Sequence, residues 1–126
     1  MSEEATRLAR AGFEAWQRGD FETVERMLDP AVRWRSFESG EWDCGNREDV
    51  MNVVRERYEQ GFARGRLAFA DGGEDASIVV SHPQEIGGDD WPERTATVIR
   101  FRGGRVIGMQ DYRTLEEALA ATGGPG

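Results

Sequence analysis

Gly103-Gly104 stands between two stretches of alternating polarity, and this arrangement constrains the chain more than any other. Glycine adopts positive φ at little cost, so the pair makes a tight hairpin turn. Before it, Thr95 to Arg102 places Thr95, Thr97, Ile99 and Phe101 on one face and Ala96, Val98, Arg100 and Arg102 on the other. After it, Ile107, Met109, Asp111 and Arg113 share one face, opposite Val106, Gly108, Gln110 and Tyr112. Thr114-Leu115-Glu116-Glu117 then reads as a capping box that starts a closing helix. Asp111 lies in line with Ile107 and Met109. If that face is buried, the charge must be paired, protonated or placed at a ligand cavity.

The chain before the hairpin divides into helices and then strands. Ser2 to Arg18 is an amphipathic helix with Leu8, Ala11, Gly12, Ala15 and Trp16 on one side. Gly19 suits its C-terminal end, and Asp20 caps a second helix over Phe21 to Leu28, which Asp29-Pro30 stops. Ala31 to Phe37 alternates as a strand with Val32, Trp34 and Ser36 on one face. Glu38 to Gly45 is a polar loop carrying Trp42. A third helix, capped by Asn46 with Asp49 at its third position, runs to Phe62 along a stripe of Val50, Met51, Val54, Tyr58 and Phe62. Arg66 to Ala70 and Ala76 to His82 are strands joined by Asp-Gly-Gly-Glu-Asp, and Pro83 to Arg94 is a long acidic loop rich in Gly and Pro. Helices first and antiparallel strands after them predict an α+β fold, a single domain over 1–122 with a flexible tail at 123–126.

The charge balance narrows the partners. A net charge of -8 opposes nucleic acid or an anionic membrane as a main partner. All 16 basic residues are Arg, which removes lysine Schiff-base chemistry. Cys44 is the single cysteine, so neither an intrachain disulfide nor a thiolate metal cluster can form, and a small inert thiol is the expectation. Nothing at the N-terminus reads as a targeting signal and no apolar run reaches spanning length, so the expected setting is cytoplasmic.

The segment FEAWQRGDFETVERMLDPAVRW resembles the opening of nuclear transport factor 2-like, or SnoaL-like, proteins, and GGRVIGMQDYRTLEEAL resembles their ending. The resemblance spans nearly the whole domain. It implies a cone: a curved antiparallel sheet packed on the N-terminal and central helices and enclosing a cavity. Function is less constrained, because this fold hosts isomerases, cyclases, hydrolases, binders and dimerisation modules. The three positions that ketosteroid isomerases of this fold use fall near Gly12, Ser36 and Thr97, none of which can do that work. Asp111 matches one aspartate of the limonene epoxide hydrolases, but their Arg-x-Asp pair would fall around Val80 to His82, where neither residue occurs. Polyketide cyclases of the SnoaL type require only an apolar cavity and one acidic group.

Asp111 is therefore the candidate acid or base, and its structural alternative is an ion pair with Arg113, Arg100 or another Arg at the pocket rim. His82 reads by default as a surface or rim histidine, and it is the candidate catalytic partner of Asp111 if it faces inward beside Ile78 and Val80. The strand and helix parities make Trp16, Trp34, Tyr58, Ile99, Phe101 and Met109 the candidate ligand-binding wall. Trp42 and Trp91, in loops, are candidates for a lid or a dimer anchor. The outer face of the last two strands, with Val98, Val106, Gly108 and Tyr112, is the expected homodimer surface. No cofactor and no metal are expected, since Glu85, Asp89 and Asp90 fit no calcium loop. Two functions follow: an enzyme acting on a small apolar substrate through Asp111, or a non-catalytic binder using the same cavity.

Overall fold

The computed structural model describes residues 2–36 and 43–122. Trp42 and the tail at 123–126 lie outside the described residues. The expected α+β architecture is present: a curved, unclosed five-stranded sheet with helices against it. The chain begins with helix α1 (Ser2–Gln17) and helix α2 (Phe21–Met27). Asp20 caps α2 by accepting from the Thr23 amide and hydroxyl at 3.2 and 2.7 Å. Strand β1 (Leu28–Arg35) follows without a break, so Asp29-Pro30 lies inside the strand and not in the turn that the sequence suggested. Proline is tolerated there because β1 is an edge strand.

Helix α3 (Arg47–Glu59) starts at Asn46, whose side chain accepts from the Asp49 amide at 2.9 Å. It ends earlier than the expected Phe62, because Gly61 turns left-handed and Phe62–Arg64 forms a separate 3-10 turn. Strands β2 (Leu67–Asp71) and β3 (Ala76–Ser81) come next. The acidic loop after them contains one helical turn, α4 (Gln84–Gly87). Strands β4 (Thr95–Arg102) and β5 (Arg105–Tyr112) form the predicted hairpin, with Gly103 and Gly104 both at positive φ. The Thr114 hydroxyl accepts from the Glu117 amide and starts helix α5 (Leu115–Ala121).

The strand order is β1-β5-β4-β3-β2, with β1 and β5 parallel and every other pair antiparallel. The inner face packs on α1, α2 and α3 through Val32, Val79, Ile99, Phe101 and Val106. Ser77, also buried, ties this face to α1 by a 3.1 Å hydrogen bond between its hydroxyl and that of Thr6.

Two expectations about faces are overturned. Val106 lies on the inner face, not the outer one. Phe101 pairs with Val106 and Arg100 with Gly108, so Ile107 is an extra residue in β5, and this bulge reverses the alternation behind it. The part of the outer face formed by Ile78, Val80, Ala96 and Val98 is covered by α5 of the same chain, through Leu115, Ala118 and Leu119. Val98 is only 1% exposed, so it is not available to a second copy.

Candidate functional site

The inner face of the sheet does not meet the helices everywhere. A cavity of about 130 Å³ remains between them. Leu8, Gly12, Phe13 and Trp16 of α1 form one wall, Val50, Val54 and Arg57 of α3 a second, and Ile99, Phe101, Val106 and Met109 of the hairpin a third. Met27 and Leu28, where α2 runs into β1, complete it together with Trp34. Trp16 is fixed by a 2.9 Å hydrogen bond from its indole nitrogen to the Val54 carbonyl, which ties α1 to α3.

Of the six residues expected in the wall, Trp16, Trp34, Ile99, Phe101 and Met109 line the cavity. Tyr58 does not. It is 38% exposed and packs edge-on against Phe21, with ring centroids 5.2 Å apart. The helical period explains the change: Val50, Val54 and Arg57 are spaced by four and three residues, so the inward stripe of α3 continues to Arg57, and Tyr58 turns toward α2. The stripe itself was visible in the sequence, but an arginine at its end concealed the continuation. Val106 was missed because a bulge cannot be read from alternation alone.

Asp111 stands beyond Met109 on the same strand face, directly across from Thr97. Its Oδ1 accepts two hydrogen bonds, from the Trp34 indole nitrogen at 2.9 Å and from the Thr97 hydroxyl at 2.7 Å. β1 puts Trp34 beside Met109, and the length of the indole carries its N–H on to Asp111. Neither Arg100 nor Arg113 pairs with this carboxyl; its side-chain partners among the described residues are Trp34 and Thr97. Burial pushes the Asp111 carboxyl above its ordinary range. The two hydrogen bonds and the charge of Arg57 oppose that rise, and the charge of Asp43 adds to it.

His82 is not brought to Asp111. It follows the end of β3, where its carbonyl accepts from the Glu85 amide at 3.1 Å. Ile78 and Val80, on whose inward placement a catalytic His82 would depend, belong to the outer cluster under α5. Glu85 is itself held by Arg66 through two hydrogen bonds of 3.0 and 2.6 Å. Cys44 is buried and pairs its backbone with Trp34. Burial, and then the charges of Asp49, Asp43 and Asp111, push its thiol up and so keep it protonated. Among the described residues no three His, Cys, Asp or Glu side chains converge as a metal site would need, and no helix is long and apolar enough to cross a membrane.

Asp111 is thus a partly buried carboxyl with no cationic partner among the described residues, next along the strand face from a cavity that it does not line. The fold of the chain is that of the nuclear transport factor 2-like proteins. A nuclear transport factor 2-like protein of unknown function from Burkholderia xenovorans LB400 superposes with a TM-score of 0.67 at 21% identity, over 87% of this chain and 82% of that one. An LEH-like epoxide hydrolase from M. tuberculosis gives 0.58 at 18% identity, over 96% and 90%. A hypothetical protein from Catenulispora acidiphila DSM 44928, with a ketosteroid isomerase-like fold and in complex with trimethylamine, gives 0.58 at 19%, over 94% and 93%. No family model matches the sequence, and no curated protein matches it. The likeness at these identities is one of fold.

Proposed function

We propose that this protein binds a small apolar molecule in the cavity between α1, α3 and the sheet. The observation that carries this reading is the cavity itself, about 130 Å³ and walled by apolar side chains and the stem of one arginine. Apolar cavities of about 150 Å³ are known to stay dry and to admit benzene, so the occupant is on the order of one aromatic ring. Trp16 and Trp34, each locked by a hydrogen bond, give the cavity a wall that is formed before the ligand arrives.

Gly12 offers a direct test. It lies in the cavity wall on α1, and a Cβ there would meet only the Met27 side chain, at 3.5 Å. Gly12→Leu is expected to fill the space without breaking the helix. Toluene should raise the melting temperature of the native protein and quench or shift its tryptophan emission, and Gly12→Leu should show neither effect. Toluene leaving both proteins unchanged would overturn the proposal.

A second reading is favoured by the environment of Asp111. Asp111 does not itself line the cavity, but Met109 beside it on the strand face and its partner Trp34 do. With Oδ1 committed to Trp34 and Thr97 and burial raising its affinity for a proton, this carboxyl is suited to give or take a proton next to the cavity wall. On this reading the protein is an acid or base catalyst for a small apolar substrate, and Asp111→Asn lowers turnover roughly 10²–10⁴-fold while binding persists.

A further inference from the structure

Among the described residues Arg57 is the one charged residue in the cavity wall, and the cavity reading does not use its charge. Its aliphatic stem lines the cavity, while the guanidinium carbon lies 4.6 Å from the centroid of the Trp91 ring and 5.9 Å from that of Phe62. Its side chain is 33% exposed, so the stem is in the wall and the charge at the solvent edge. Trp91 is held firmly, with its ring 4.5 Å from Phe62, and a Cβ on Gly87 would collide with both rings. The guanidinium therefore has a fixed platform.

Among the described residues no acid lies within hydrogen-bond distance of its charge, and its one hydrogen bond there goes to the neutral Gln60 side chain at 3.1 Å. Glu56, the one carboxylate ion-paired with it among the described residues, is 3.9 Å away, beyond hydrogen-bond reach, and 62% exposed. Asp111 senses the charge of Arg57 without touching it. A guanidinium whose stem lines an apolar cavity, and which has no carboxylate at hydrogen-bond distance among the described residues, is suited to an incoming anion.

We infer that the natural occupant is a small apolar acid, with its hydrocarbon part in the cavity and its carboxylate on Arg57. This rests on the cavity reading and adds the chemical class of the ligand. Loop residue Trp91 becomes a positioning residue, because it fixes the cation that reads the head group.

Benzoate and benzamide, which differ chiefly in charge, make the test, with affinities read by calorimetry or tryptophan emission. The native protein is expected to prefer benzoate by about ten- to a hundredfold, the range of a charge-assisted hydrogen bond. Arg57→Met, which keeps an unbranched stem against Trp91, is expected to remove that preference, and Arg57→Lys to keep part of it. Added salt should shrink the preference in the native protein and leave the Arg57→Met ratio unmoved. Equal binding of benzoate and benzamide by the native protein, with both blocked in Gly12→Leu, would overturn the acid specificity and leave the cavity reading intact. Toluene binding without benzoate binding would do the same. Failure of all three probes would remove both.

Discussion

Asp111 is where a single residue carries testable consequences. Its carboxyl binds a proton more tightly in the folded chain than in the unfolded one, because burial outweighs the hydrogen bonds from Trp34 and Thr97. The sign of the linkage follows. The stability it contributes is fully present below the ordinary value of 3.8 and is lost as pH rises through the higher folded value. Asp111→Asn keeps an oxygen to accept from Trp34 and Thr97 but cannot ionise. The variant should match the native protein in melting temperature below pH 4 and exceed it increasingly toward neutrality. A difference that stays constant from acid to neutral pH would show that Asp111 is not perturbed in this way. The importance of this carboxyl was legible in the sequence, since a charge in line with Ile107 and Met109 needs an explanation. Its partners were not, because the Trp34 indole reaches it from 77 residues away.

Elements were legible wherever the chemistry that forms them is local. Asn46 and Thr114 cap their helices as the sequence predicts, and Gly103-Gly104 turns the hairpin. What alternation alone could not supply was the position of one extra residue, Ile107, which is set by how Arg100 and Phe101 pair with Gly108 and Val106 across the hairpin. The loop between β3 and β4 has the same character: it reads as irregular, yet α4 delivers Trp91 onto Phe62 and beneath Arg57. Gly87 makes that delivery possible. Gly87→Ala would overpack the contact and is expected to cost about 1–3 kcal/mol in denaturant unfolding, with the near-UV tryptophan signal altered. An unchanged unfolding midpoint would mean that Trp91 has no fixed seat.

At the scale of the whole molecule, α5 decides how the sheet faces its surroundings. Ile78, Ala96 and Val98 are shielded by it, and fully burying a valine or isoleucine contributes about 1.5–3 kcal/mol each. A chain stopped after Arg113 should expose that face and self-associate, with light scattering reporting a mass above that of the longer protein. An unchanged mass would show that α5 is not what keeps the face covered. The sheet order has a further consequence, for synthesis. β1 is made early, yet its neighbour in the sheet is β5. While a ribosome is still translating the middle of the chain, Val32 and Trp34 have no strand to lie against, and the apolar sides of the first helices stay open to water. The cavity cannot form until β5 has left the exit tunnel, so folding is committed late, with the apolar segments of the first half of the chain exposed longest.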